Sequence, residues 1–198
     1  MIPRMQCPYC RTVLTETSKE CPSCLLSLYT ANSLLGPMPR TTRGFTDTIG
    51  ILEKGADKKI NRALNRLGRK FPQVNMHVLI GKFDTKFPIA THLFWLFNQG
   101  DLCADSSKGG KNHDILLGLD PKSGKIGLIV GYGLEPFLPA KALDHTLEKS
   151  QPSLAEANYT QAILTVIEAV SDLMEGICSG FNDTLGIDLE EKAVVKEF

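Results

Sequence analysis

Two almost unbroken apolar runs, Ile115–Leu119 and Ile126–Val130, face each other across Asp120-Pro121-Lys122-Ser123-Gly124. Asp before Pro suits the opening of a type I turn, and Gly124 can take the positive φ that returns the chain. The pattern predicts a β-hairpin. Its strands do not alternate polar and apolar residues, as expected of interior strands covered on both faces. Polar residues gather at the open end: Asn112, His113 and Asp114 before the first strand, Gly131-Tyr132-Gly133-Leu134-Glu135 after the second. Sheet edges of this kind are where layered α/β domains place ligands.

The remaining periodicity supplies the other layers. Ile60, Leu64, Leu67 and Phe71 recur at helical spacing, so a helix is predicted over about 53–70, ended by Pro72. Val74, Met76, Val78 and Ile80 alternate with Asn75, His77 and Leu79, a strand in which His77 is read as a layer-boundary residue rather than a ligand. Helices are predicted around 86–98, where Trp95 reads as a packing residue, and around 139–149 after Pro139. Ser153-Leu154-Ala155-Glu156 has the form of a capping box for a long helix carrying Tyr159, Ile163, Val166, Val170, Leu173 and Ile177. Gly180 is expected to break that helix, leaving an acidic, mobile tail over 181–198. The order of elements predicts a mixed sheet between helices, an α/β/α sandwich.

The N-terminus belongs to a different pattern. Cys7-Pro8-Tyr9-Cys10 and Cys21-Pro22-Ser23-Cys24 are two CPxC knuckles ten residues apart. Four thiolates so spaced suit a closed tetrahedral Zn²⁺ site, with no open position for catalysis. Rubredoxin-like iron and a disulfide or redox pair are the alternatives. About 28 residues cannot bury enough apolar surface to fold alone, so a metal would hold this zinc ribbon together. Gly36, Pro37 and Pro39 mark the segment that follows as a linker. The expected organisation is a ribbon at 1–28, a linker at 29–43, a domain at 44–180 and the tail.

Composition narrows the functions. The formal net charge is zero and 42% of residues are hydrophobic, so no global field draws in nucleic acid or membrane. Local charge is uneven: residues 53–70 carry seven Lys/Arg, of which Lys59, Arg62, Arg66 and Arg69 form a stripe. The stripe fits the solvated side of an amphipathic helix, with an anionic partner as its functional reading. Met1–Gln6 lead directly into the first knuckle with no signal-peptide core, and no apolar run is long enough to span a bilayer. Together with metal-spaced cysteines this predicts a cytoplasmic setting. Gly100–Lys111 reads as a glycine-rich rim loop; its GGK does not complete a phosphate-binding P-loop.

On Asp47, on Asn112–Leu117, on Lys125–Glu135 with its GYGLE ending and on the helix from Tyr159, residues 44–178 resemble the TPM domain family, which includes the thylakoid acid phosphatase. Asp114 stands where the family usually has glycine, and Gly127 where it has an arginine. The resemblance implies an α/β/α sandwich and, in some relatives, acid phosphatase activity with a divalent cation in an acidic cleft. It makes Asp47, Asp114 and Glu135 candidate Ca²⁺ or Mg²⁺ ligands, with Asp101 and Asp105 on the rim loop. A hard cation held by carboxylates can polarise a phosphoryl oxygen. No nucleophile motif accompanies these acids. A protein-binding or adaptor module is therefore expected ahead of a metal-assisted phosphatase acting on phosphomonoesters, and both ahead of nucleic-acid binding through the ribbon and basic helix.

Overall fold

The computed structural model describes residues 6–15, 17–39, 41, 43–100 and 110–185. The sheet has four strands in sequence order: β1 (Phe45–Asp47), β2 (Asn75–Ile80), β3 (Asp114–Asp120) and β4 (Lys125–Val130). β1, β2 and β3 are parallel and β4 is antiparallel to β3. The predicted hairpin is present, with Gly118 opposite Gly127 and Asp120 opposite Lys125. Its turn is fixed by the Asp120 carboxylate, which accepts from the Lys122 amide at 3.0 Å and the Ser123 hydroxyl at 2.8 Å. Gly124 has the expected positive φ of 64°. One expectation needs correcting. β3 is interior and buried throughout, whereas β4 is an edge strand with several partly exposed residues.

Helix α2 (Ala56–Lys70) buries Ile60, Leu64 and Leu67 as its spacing predicts. With α4 (Ala140–Glu148), α5 (Gln151–Ala155) and α6 (Tyr159–Leu185) it covers one sheet face, that of Val78, Ile80, Ile115, Leu117 and Leu119. Helix α3 (Ile89–Gln99) covers the other, that of Leu79 and Leu116. The crossovers β1–α2–β2 and β2–α3–β3 step the same way across the sheet, yet their helices lie on opposite faces. The two connections therefore have opposite hands, and one is the rare left-handed kind.

Two predicted boundaries differ. Asn158, not Ser153, caps α6: its side chain accepts from the Gln161 amide at 3.2 Å and its carbonyl from Ala162 at 3.0 Å. Gly180 does not end α6, which continues to Leu185; glycine in a helix interior costs only about 1 kcal/mol relative to alanine, too little to stop a helix of this length. The tail beyond 185 lies outside the described residues.

Across the boundary expected between ribbon and linker, Leu28–Leu35 form a helix, α1. Ser27 and Thr30 cap each other reciprocally at its start, and Gly36 follows its end. Asn32 accepts a 2.6 Å hydrogen bond from the Trp95 indole, and Ala31 is fully buried. Cys7, Cys21, Leu26 and Ala31 share an apolar cluster with Leu93, Trp95, Leu96 and Phe97 of α3. The Thr91 hydroxyl donates to the Pro8 carbonyl at 3.1 Å, and Tyr9 lies 6.0 Å from the Phe87 ring. The ribbon and α1 thus form a fourth layer over α3. Trp95 is a packing residue, as expected.

Candidate metal centre and strand-edge cavity

Both cysteine knuckles have the same backbone. The Cys7 carbonyl accepts from the Arg11 amide, and the Cys21 carbonyl from Leu25, each at 2.9 Å. The Cys7 amide donates to Thr12 at 2.9 Å, and the Cys21 amide to Leu26 at 2.8 Å. Arg11 and Leu25 take left-handed φ values of 62° and 59°, a conformation costing a side-chain-bearing residue about 1–2 kcal/mol. That two bulky residues hold it at equivalent positions shows how tightly the knuckle constrains the chain.

The four Sγ atoms lie within 4.8 Å of one another. Cys7 and Cys24 are 3.6 Å apart, and Cys10 and Cys21 3.5 Å. Four sulfurs at about 2.3 Å from a tetrahedral ion stand about 3.8 Å apart, so the donor set fits such an ion with little movement. The thiols are electrostatically unequal. The Thr12 hydroxyl and amide hold Cys10 down at about 6, while burial pushes Cys24 up to about 12. Burial alone would raise Cys21, but the Cys24 and Ser23 amides outweigh it and its net direction is downward. Metal binding requires all four to lose their protons, so affinity falls with pH.

The candidate cation ligands are not gathered in the same way. Asp47 ends β1, paired with Ile80, whereas Asp114 begins β3, five residues before the Leu119 that pairs with Ile80. At the rise of a strand this sets them roughly 16 Å apart along the strand direction alone, with β2 lying between them, at opposite ends of the sheet. Among the described residues, the four cysteines are the one group of three or more metal-ligating side chains in metal-binding reach. Asp101 and Asp105 lie outside the described residues.

Asp47 has a local task instead. Its Oδ1 accepts from the Ile49 and Gly50 amides at 3.0 and 2.8 Å, and its Oδ2 from Ile51 and Leu52 at 2.9 and 3.3 Å. Beside it, Thr48 closes onto the Ile80 carbonyl through both its amide and its hydroxyl, each at 2.9 Å. These bonds tie the loop after β1 to the carboxyl end of β2, where the connections part to opposite faces. Asp47→Asn leaves two of these four amides facing an NH₂ group and should cost about 1–3 kcal/mol. Thermal unfolding with and without added Ca²⁺ checks this; a ligand role predicts instead that the variant differs from wild type only when the ion is present.

Glu135 lies at Asp114's end of the sheet, past the GYG turn, and its partial burial pushes its carboxyl up from the usual range. The two glycines of that turn leave room for backbone. A Cβ on Gly131 would stand 2.0 Å from the Lys111 carbonyl oxygen, and one on Gly133 2.9 Å from the Asn112 oxygen and the His113 ring. The motif fits the hairpin's exit strand against the turn that enters it. Gly127 is explained similarly: a Cβ there would lie 3.0 Å from Leu93 and 3.1 Å from Ile89. Helix α3 fills the space that an arginine side chain would need.

Asp114 faces a cavity of about 440 Å³ at the amino ends of the strands, between α2 and the segment before β1. Asn61, Asn65 and Arg69 line it from α2, Asn75 and His77 from β2, and Arg43 from the approach to β1. Asn75 donates to Asp114 Oδ1 at 2.8 Å. His77, read from the sequence as a boundary residue, is 5% exposed. The signal that could have marked it was a polar side chain two places after Asn75, the other polar residue of a strand that is apolar elsewhere.

A family model described as the TPM domain matches residues 45–173. The chain belongs to this family. Three solved structures share the fold. The N-terminal domain of a P. gingivalis protein is 23% identical, with 68% of this chain and 83% of that one covered and a TM-score of 0.51. The N-terminal domain of the cg2496 protein from Corynebacterium glutamicum is 17% identical, covering 70% and 84%, with a TM-score of 0.50. The BA42 protein from the psychrophilic bacterium Bizionia argentinensis is 14% identical, covering 66% and 86%, with a TM-score of 0.55. No curated protein matches. The TPM match begins at β1, so the ribbon and α1 lie outside it. No helix among the described residues is long and apolar enough to cross a membrane.

Proposed function

We propose that the protein is a binding module in which a Zn²⁺-loaded ribbon presents a docking surface for a protein partner on a TPM domain. The observation that carries this reading is where apolar side chains remain in water. Of the eight exposed large hydrophobics among the described residues, Tyr9, Val13, Leu25, Tyr29 and Leu34 fall in the ribbon and α1, with Tyr29 81% exposed. Such a concentration on a small unit is characteristic of interaction surfaces. Four closely spaced thiols favour zinc chemically, and a closed tetrahedral shell supports a structural rather than catalytic ion. The engagement of Asp47 with its own loop supports binding over metal-assisted hydrolysis.

In-cell crosslinking of wild type against Val13→Glu and Tyr29→Glu tests the reading. Both residues are exposed, so the variants should fold; a partner enriched with wild type should be lost with both. Equal recovery from all three proteins would defeat the docking surface, and less than stoichiometric zinc in the purified protein would defeat the metal assignment.

A further inference from the structure

Among the described residues, β4 is the last strand of the sheet, and the ladder fixes which of its backbone groups face outward. The Gly131 amide donates to the Asp114 carbonyl, so in this register Ile129 and Gly127 are the residues that bond β3, at Leu116 and Gly118. Ile126, Leu128 and Val130 alternate with them and turn their N–H and C=O groups away from β3. Among the described residues no backbone hydrogen bond meets these groups. The strand also lacks the usual protection of an edge. It has no proline and no bulge, its one charge is on its first residue, and Ile126, Leu128 and Ile129 are only partly buried. An edge built this way accepts another strand.

The pattern of the strand and its flanks selects the occupant. The outward-facing residues are symmetric about Leu128, so an antiparallel copy of β4 sets Leu128 opposite Leu128 and Ile126 opposite Val130, and every outward donor meets an acceptor. Side chains fit in the same register. Apolar residues meet on the face of Ile126, Leu128 and Val130, while on the face of α3 Ile129 stands opposite Gly127, which has no side chain. Charge agrees as well. Lys122 and Lys125 are exposed at the start of the strand, whereas Glu135 and the exposed rings of Tyr132 and Phe137 follow its end. Antiparallel pairing brings the cationic start of each copy beside the acidic, aromatic end of the other. We propose that two copies of this chain associate through β4, joining their sheets across a two-fold axis at Leu128. This contact uses none of the exposed side chains of the ribbon and α1. A single six-residue edge is a small interface, so the dimer is weak and concentration-dependent.

The test is sedimentation equilibrium of the full-length, metal-loaded protein from about 10 µM to about 1 mM, with amide hydrogen exchange followed by NMR at both ends of the range. The expected result is a reversible monomer–dimer equilibrium. Leu128→Lys puts like charges opposite each other at the axis and should raise the dissociation constant about tenfold or more. The exchange measurement needs no variant. In wild type the Ile126, Leu128 and Val130 amides should exchange slowly in the dimer and quickly on dilution, while those of Gly127, Ile129 and Gly131, bonded to β3, stay slow in both. A monomer throughout the range overturns the proposal. So does a dimer in which the three outward amides exchange freely, which would place the contact elsewhere, as on the ribbon. Slow exchange of these amides in a monomer would show that the chain's own residues cover the edge, and a dimer of unchanged strength in Leu128→Lys would remove β4 from the axis; either result defeats the assignment.

Discussion

Cys7→Ser should destabilise the whole chain, not just its first 35 residues. Structural zinc contributes about 10–16 kcal/mol of apparent binding free energy in isolated fingers, comparable to or larger than a domain's total stability of about 5–15 kcal/mol. Cys7 and Cys21 are buried in the same apolar cluster as Leu93, Trp95 and Phe97. An unravelled ribbon would therefore wet the outer side of α3. The chain's single tryptophan reports directly on this, because Trp95 is buried beneath α1 and bonded to Asn32. We expect a red-shifted Trp95 emission, a lowered melting temperature and loss of bound metal, with the same changes when a strong chelator is added to wild type. An unchanged emission spectrum after metal removal would show that the ribbon does not need its ion to stay docked. Lowering the pH should release the metal by the same route. The metal-bound state needs thiolates, so its stability falls as protons compete for them, and Cys24, pushed up to about 12 by burial, depends most on the ion to lose its proton.

Gly131→Ala is expected to be the most damaging single methyl in the TPM domain. Its Cβ would meet the Lys111 oxygen at 2.0 Å and the Asn112 oxygen at 2.5 Å. Both are backbone atoms, so neither can turn aside as a side chain would. Separating them means opening the ladder where the Gly131 amide donates to the Asp114 carbonyl at 2.8 Å. The expected loss is about 4 kcal/mol or more, in the range kept for such mechanisms, and it is read from urea unfolding. Gly176→Ala is the matched control. It lies within α6 with open space where the methyl would go, so it should gain up to about 1 kcal/mol. Similar losses at both positions would mean that the close approach at Gly131 is not what the motif protects.

The parts legible in the sequence were those decided by neighbouring residues. Asp120 to Gly124 specified their turn through a local carboxylate cap and one positive φ. The stripe of Ile60, Leu64 and Leu67 specified a buried helix face, and the two CPxC knuckles specified a four-sulfur cluster. What escaped was set by distance or by length. β1 spans three residues, too few to show a period of two. Helix α1 sits just before Gly36 and Pro37, and its cap pairs Ser27 with Thr30 instead of an acid, so the neighbourhood read as a linker. His77 and Asp114 lie 37 positions apart in sequence and meet only because β2 and β3 pair in register. Strand register likewise sets Asp47 at the opposite end of the sheet from Asp114, a separation that residue type and motif could not show.

The position of α3 also bears on how such a chain could arise. One side of this helix, at Ile89 and Leu93, rests on the glycine strip of Gly118 and Gly127. The opposite side, at Thr91 and Trp95, rests on Pro8 and Asn32. A ribbon seated this way is not a cassette that can be gained or dropped in one recombination. Its acquisition had to be matched by an apolar outer face on α3, and its loss would strand that face in water. Among chains carrying this domain, four N-terminal cysteines and an apolar residue at the place of Trp95 should be inherited together, and chains without the cysteines should be polar there.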